Sequence, residues 1–412
     1  MTTRMRPIES TIPLEDAQRI IETTVQPIQR IERVALVDAH DRVLAQDVGS
    51  AIDVPPFARA AMDGYAVRAA DTAGATRVAP RSLTRIGQVF TGQVASQRVE
   101  PGQCIEIATG APLPAGADAV VIVEDTAAAG DRIGVFTPVE PGQNIGRQGA
   151  DIQRGQTVLP SGDLLTPAKV GVVAALGITD VAVYARPRVA VLSTGNEIVD
   201  PGQPLAAGQI YDINKFTVSA LVSRHGGIPV AYRTPMDTIE DLSRGVDEGC
   251  REDVLVFSGG SSVGERDLML DVIAATGKVL FHGISVKPGK PTAFGVIGTS
   301  PDTGRLRPVF GMPGYPASCL TNGYLLLVPA LRKIARLPPW QPRIARLPLG
   351  ARISSVAGRR QFYTVRLEDG VALPAFKASG DITSMSRADG YIDIPADVTS
   401  VDQGTPVDVV FF

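Results

Sequence analysis

The chain is expected to be a multidomain α/β and β protein, with a doubly wound α/β domain between β-rich segments. Three observations carry this expectation. From Arg188 onward, strand-like apolar runs alternate with helix-like segments, the pattern of a parallel sheet covered on both faces. Between residues 50 and 150, short β-rich runs such as Ala119–Val123 and Ile133–Phe136 sit between Pro/Gly turns such as Pro101-Gly102 and Pro141-Gly142, which reads as a small all-β module. After the Pro-rich stretch Leu337–Pro342, Gln361–Leu367 and Thr405–Phe412 are again β-like.

In chain order, Leu14, Ala17, Ile20, Ile21, Val25 and Ile28 fall near helical spacing, with Pro13 before them and Glu15 and Asp16 in the first turn. Val189–Leu192 reads as a strand, and Asn214–His225 as a helix closed by Gly226-Gly227. Ile228–Tyr232 is the next strand. Asp237-Thr238-Ile239-Glu240 has the spacing of a capping box and opens a helix. Asp253–Phe257 is a buried strand and Leu268–Thr276 a helix. Ala293–Ile297 and Pro308–Met312 are two more strands, and Ala317–Ile334 is a helical run.

Composition narrows the function classes. At 412 residues there is room for about three domains of roughly 150 residues. Aromatics are only 5%, too sparse for base-stacking platforms. Net charge is −3 with no basic stretch, which argues against duplex nucleic acid. An anionic ligand would therefore have to be met by local charge. The polar N-terminus has no apolar h-region, and Tyr324–Leu331 is too short to span a bilayer and contains Pro329. A cytoplasmic protein without membrane or nucleic-acid partners is expected. Cys104, Cys250 and Cys319 form no C-x-x-C pair, and His40, His225 and His282 are scattered. No cysteine or histidine metal centre and no Ser-His-Asp triad follow from spacing.

The most telling stretch is Ser258-Gly-Gly-Ser-Ser-Val-Gly-Glu-Arg-Asp267, which joins a strand to a helix. Glycines let backbone amides approach a ligand, and a helix N-terminus favours negative charge. Downstream, Lys287 and Lys290 flank Pro288-Gly289. Like charges held close by stiff residues are relieved by an anion between them; a solvated surface loop is the plainer alternative. Because Pro291 follows Lys290, this is no Walker A loop. Pro313-Gly314-Tyr315-Pro316 is either a rigid turn or a ligand-lining wall where the sheet opens. Ser193-Thr-Gly-Asn-Glu197 ends another strand, and Asp237, Glu265 and Asp267 lie at comparable positions. An acid at a helix start can be only a cap. Carboxylates gathered at an anion site need a cation between, and oxygen-liganded Mg²⁺ is the natural one. Pro55–Tyr65 and Thr109–Asp118 carry no mechanism readable from residue chemistry.

At these residues the chain resembles the molybdopterin molybdenumtransferases, bacterial relatives of the gephyrin E-domain. The likeness runs through Ala61–Val67, Ile107–Pro114, Gly142–Asp151, Leu192–Glu197, Gly208–Asn214, Ser258–Asp267, Lys287–Lys290 and the Pro313 loop. It implies transfer of molybdenum from molybdate to the dithiolene of adenylylated molybdopterin, with AMP released and Mg²⁺ required. It implies an elongated homodimer of four-domain subunits: an extended linker domain I (31–49 and 152–185), a β-rich domain II (50–151), a molybdopterin-binding α/β domain III (8–30 and 186–335), and a barrel-like β-domain IV (336–412). The cleft would lie between the α/β domain of one subunit and the β-module of the other. Matched by motif position, Asp63, Thr109, Asp151, Glu197, Asp237 and Asp267 would be catalytic, with Mg²⁺ on Glu197, Asp237 and Asp267. Ser258, Gly259, Gly260, Ser262, Gly264, Lys287, Lys290, Pro313, Gly314, Pro316, Arg359 and Ser379 would bind the cofactor precursor. Two departures stand out: Tyr315 replaces the family's usual Asn, and Asn196 its usual Asp. Two other readings share much of this pattern: a gephyrin-like scaffold without catalysis, and an ATP-using molybdopterin adenylyltransferase, an enzyme that could also be a partner. Molybdate and tungstate are not separable from sequence.

Overall fold

The structure, a computed structural model, describes residues 8, 10–232, 238–259, 268–299, 304, 306–378 and 380–412. The chain divides into two compact units. One comprises Met1–Glu32, Asp41–Val43 and Ala182–Phe412; the other comprises Arg33–His40 and Leu44–Val181.

A six-stranded sheet organises the first unit. Its order is Ile228–Ala231, Arg188–Ser193, Val254–Ser258, Leu306–Met312, Ala293–Thr299 and Gly277–His282. The first four strands are parallel. Both faces are covered, which is why the central strands read as unbroken apolar runs. Val189, Val191, Val254 and Val256 pack on one face with Leu14, Ala17 and Ile21 of the helix Leu14–Thr24 and with Val218, Leu221 and Val222 of the helix Asn214–Arg224. Ala190, Leu192, Leu255 and Phe257 pack on the other face with Leu242 and Val246 of the helix Ile239–Gly249 and with Val272 and Ile273 of Leu268–Thr276. The period of two along each strand thus feeds two cores.

Three local details differ from the sequence reading. Ala293–Thr299 runs antiparallel to both its neighbours. The links 283–292 and 300–305 are shorter than the dozen or so residues a parallel crossover needs. The cap of the Ile239 helix is Thr238, whose hydroxyl accepts from Asp241 N–H at 3.1 Å; the capping pair is displaced by one from Asp237 and Glu240. The expected run Ala317–Ile334 is two α-helices, Pro316–Asn322 and Val328–Ile334, joined by a π-helical turn at Gly323–Leu327. Pro329 has no N–H to give the carbonyl of Leu325. Gln18 Nε2 donates to that carbonyl instead, at 3.1 Å.

A C-terminal sheet completes this unit, in the order Val286–Lys287, Arg360–Glu368, Gly390–Ile394, Pro406–Phe411 and Ile344–Pro348. It encloses its own core of Leu349, Ile353, Val365, Ala372, Ile392, Ile394 and Val409. Its edge is the short segment carrying Lys287, paired parallel to Arg360-Gln361.

The second unit holds a six-stranded sheet, ordered Ala119–Ile122, Gly64–Val67, Gln103–Ile107, Arg81–Val89, Arg132–Val135 and Thr126–Ala129. Tyr65 and Val67 face one core and Ala66 the other. At Gly64 a Cβ would lie 1.9 Å from the Val121 carbonyl oxygen, so only glycine fits between these strands. The helix Pro167–Ala175, not anticipated from sequence, starts on a Thr166 cap with proline in its first turn. Among the described residues no helix is long and apolar enough to cross a membrane.

Candidate active site

In the first unit the site is built by register. Ser193 pairs with Ser258 and Ser258 with Met312, so three adjacent parallel strands end at one level. The loops that follow them, Thr194–Glu197, the turn beginning at Gly259, and Pro313–Pro316, leave the same edge of the sheet. Thr194 N–H donates to the Ser258 carbonyl at 2.8 Å, and Gly259 N–H to that of Met312 at 3.3 Å. Gly259 has φ +101°, and a Cβ there would lie 2.3 Å from the Thr194 carbonyl oxygen. A Cβ on Gly314 would stand 3.5 Å from Gly259 Cα. The described starts of these turns, Thr194, Gly259 and Pro313-Gly314, therefore lie together.

Buried polar side chains hold them together. Asn214 Nδ2 donates to Ser258 Oγ at 2.6 Å and to the Gly314 carbonyl at 2.7 Å, tying two of the loops. Ser193 Oγ donates to Asp212 Oδ1 at 2.8 Å, which also accepts from Lys215 N–H at 3.0 Å. Lys215, buried itself, is paired with Asp200 and lies 3.6 Å from Asp212 Oδ2. Cys319 Sγ lies 3.9 Å from Ser258 Oγ. Burial pushes its thiol up to about 12, which leaves it unreactive near neutral pH. Glu197 is exposed and folds back on the strand end: a Cβ on Gly195 would lie 2.7 Å from its Oε2.

The lysine loop is fixed from two sides. Val286-Lys287 pairs with the C-terminal sheet. On the other side Asn322 Nδ2 donates to the Gly289 carbonyl at 2.9 Å and to Thr292 Oγ1 at 2.6 Å. Lys287 and Lys290 are half-buried, and among the described residues neither has a carboxylate partner. His282 lies within reach of the Lys290 charge. Burial first, and that charge second, hold its imidazole below the ordinary range. Arg359 is exposed, whereas its neighbour Arg360 is engaged by Asp393 at 2.8 Å and by Glu15.

The second unit carries a smaller acidic site. Thr109 donates its backbone N–H at 2.7 Å and its hydroxyl at 2.8 Å to Asp63 Oδ1. These two bonds, the backbone one first, hold the exposed Asp63 carboxyl below the usual carboxylate range. Asp151 is exposed in a loop organised around Asp53, which accepts from Arg154 N–H at 2.9 Å and Gln148 Nε2 at 2.8 Å. Asp237, Gly260, Ser262, Gly264, Glu265, Asp267 and Ser379 lie outside the described residues. Among the described residues no cluster of three His, Cys, Asp or Glu side chains could hold a metal.

Sequence reasoning gave no role to Asn214, Asp212, Lys215, Thr292 and Asn322. The polar residues Asp212, Asn214 and Lys215 at the opening of a helix were a visible signal. Asn322, a carboxamide within an apolar helical run, was another.

Three family models cover the chain in order: the MoeA N-terminal region (domain I and II) over residues 12–177, the probable molybdopterin binding domain over 190–333, and the MoeA C-terminal region (domain IV) over 346–412. The chain is 34% identical over 408 residues to molybdopterin molybdenumtransferase 2 of Mycobacterium tuberculosis, covering 96% of this chain and 98% of the relative. To the molybdopterin molybdenumtransferase of Haemophilus influenzae it is 32% identical, over 95% of this chain and 96% of the relative. A crystal structure of the molybdopterin biosynthesis MoeA protein of Pyrococcus horikoshii matches with TM-score 0.80 and 32% identity, covering 98% of this chain and 100% of that one. Another crystal structure of a Pyrococcus MoeA protein matches with TM-score 0.83 and 40% identity over 98% and 99%. Ordered motifs, three consecutive domain matches and full-length relatives agree: the chain belongs to the molybdopterin molybdenumtransferase family.

Proposed function

We propose that this chain completes the molybdenum cofactor by using the crevice at the Ser193–Ser258–Met312 strand ends to hold adenylylated molybdopterin while molybdate is delivered to it. As a member of its family it is a transferase of molybdenum cofactor biosynthesis. The finer reading is that molybdenum passes from molybdate to the dithiolene sulfurs and AMP is released. The observation that carries it is that three adjacent strands end at one level, with Thr194, Gly259 and Gly314 packed together just beyond them, in a unit whose Pro288-Gly289 loop holds two lysines without carboxylate partners among the described residues. Backbone amides of the Ser258 turn and the ammonium groups of Lys287 and Lys290 bind the phosphates. Arg359 and Ser379 extend the anion site from the C-terminal sheet, and Pro313, Gly314 and Pro316 form its wall. Such a site acts by positioning and by fixed charge rather than by a covalent step on the protein.

Mg²⁺ belongs to the same proposal. The described donor that fits it is Glu197, an exposed carboxylate at the crevice, and Mg²⁺ typically takes one or two carboxylates plus substrate phosphates. Asp237 and Asp267 would complete the set. When bound, the ion supplies charge neutralisation for the phosphates and aligns donor and acceptor oxygens. The subunit is read as four domains with the boundaries given above, and the assembly as a homodimer in which Asp63, Thr109 and Asp151 face the crevice of the opposite subunit. Asp63, held ionised by Thr109, would then orient the incoming group.

The test is incubation of the purified protein with adenylylated molybdopterin, molybdate and Mg²⁺, with AMP and active cofactor as products. Absence of both defeats the catalytic reading. Lys290→Ala is expected to weaken binding of adenylylated molybdopterin about ten- to a hundredfold, the effect of losing one charged hydrogen bond. Unchanged binding removes the lysine from the site.

A further inference from the structure

We infer that Asn322 is a positioning residue for this reaction: a buried carboxamide that holds the Gly289–Thr292 backbone and thereby places Lys290 and Lys287. The inference rests on the anion-binding reading of the lysine loop given above.

Asn322 is fully buried, at 0% exposure, on the last turn of the helix Pro316–Asn322. Its Nδ2 gives one hydrogen to the Gly289 carbonyl and the other to Thr292 Oγ1. Thr292, equally buried, turns its own hydroxyl to the same Gly289 carbonyl at 2.9 Å. Both amide hydrogens are thus used, and three atoms form a closed triangle beneath the loop. The fit is tight: Gly289 has φ +105°, and a Cβ there would lie 2.3 Å from Asn322 Nδ2. Among the described residues Asn322 Oδ1 has no hydrogen-bond partner. A buried amide oxygen left unpaired is costly, so this carboxamide is not explained by its contribution to packing alone.

The triangle connects two parts of the site. The helix that carries Asn322 begins at Pro316, directly after the Pro313 loop. The loop it grips carries one lysine on each side of Pro288-Gly289. Lys290 contributes its carbonyl to Ile284 N–H at 3.0 Å and to Thr292 N–H at 2.9 Å, so its backbone has little freedom. Losing the Asn322 bonds releases the Gly289 peptide and with it the spacing of the two ammonium groups. Displacements of about 1 Å at a binding group can cost up to about a hundredfold.

The measurement is the dissociation constant of adenylylated molybdopterin, without molybdate so that no turnover occurs. It is made for wild type, Asn322→Leu, Lys290→Ala and the double variant. Asn322→Leu is expected to weaken binding at least about tenfold, and by a clearly smaller factor when Lys290 is already alanine, where only the placement of Lys287 is left to lose. A purely structural Asn322 would lower the melting temperature but leave affinity within about twofold of wild type, and that overturns the inference. Equal factors in both backgrounds overturn it too, because the residue would then act independently of the lysine. If Asn322→Leu does not fold, Thr292→Val, which removes one corner of the triangle with little change in volume, decides by the same criteria. Should Lys290→Ala itself bind as tightly as wild type, the anion-site reading fails, an outcome distinct from failure of Asn322 alone.

Discussion

Gly259 shows how little slack the site has at the scale of one residue. Its backbone is in the left-handed region, and the place of its missing side chain is taken by the Thr194 carbonyl oxygen. A methyl group there must push apart two strand ends whose serines are paired in register. Gly259→Ala is therefore expected to cut turnover by about a hundredfold through misplacement of the turn. The two hydrophobic cores beneath it should hold, so the melting temperature should fall by only a few degrees. Activity near wild type would show that the turn adapts and does not position substrate. Gly259 was legible in the sequence, because several glycines between a strand and a helix mark a place where backbone must come close to something. Asn214 and Asn322 were not, since a carboxamide's importance lies in which backbone carbonyl it meets. Those partners, Gly314 and Gly289, are 100 and 33 residues away along the chain.

Elements were readable where burial dictates their pattern. Val254–Ser258, buried on both faces, was readable as a central strand. The antiparallel direction of Ala293–Thr299 was hidden because apolar content does not encode strand direction; link length does. The Asn214–Arg224 helix carries a further consequence at its C-terminal cap, His225. This side chain is 1% exposed, and among the described residues both ring nitrogens lack hydrogen-bond partners. It is boxed edge-on against Trp340 at 4.7 Å and Tyr324 at 6.2 Å. Burial first, then the charges of Arg332 and Arg224, lower it from 6.5 to about 4. In the folded chain His225 stays neutral, while the unfolded chain binds a proton below about pH 6.5. The stability it supports is thus present above about pH 6.5, declines as pH falls, and is lost by about pH 4. The loss is on the order of 3 kcal/mol. Chemical denaturation at about pH 7, 5.5 and 4.5 should show a shallower decline for His225→Leu than for wild type. Parallel declines would mean that this histidine is protonated without cost.

At the scale of the molecule, the chain distributes its proposed functional groups over both compact units. The aligned strand ends and the lysines belong to the unit that ends at Phe412, and Asp63 with Thr109 to the unit that contains the β-rich sheet. Sequence spacing could not say which copies of these groups work together, since register and burial define each unit but not the assembly. The family likeness supplies the proposal of a homodimer with composite sites, and symmetry makes it testable. In a two-fold dimer both sites are equivalent. Each would take its lysines from one subunit and Asp63 from the other. Assayed at substrate well below the wild-type dissociation constant, Asp63→Asn and Lys290→Ala homodimers should each lose at least about nine-tenths of the activity, because every site then carries a defect. After the two variants are mixed, unfolded and reassembled together, a mixed dimer has one site with both defects and one with neither. Random reassociation makes about half the dimers mixed, so about a quarter of wild-type activity should return. If each site were instead built within a single subunit, every site in the mixture would keep a defect and no activity would return. Size-exclusion of the mixture alongside the assay separates that outcome from a failure to dimerise at all.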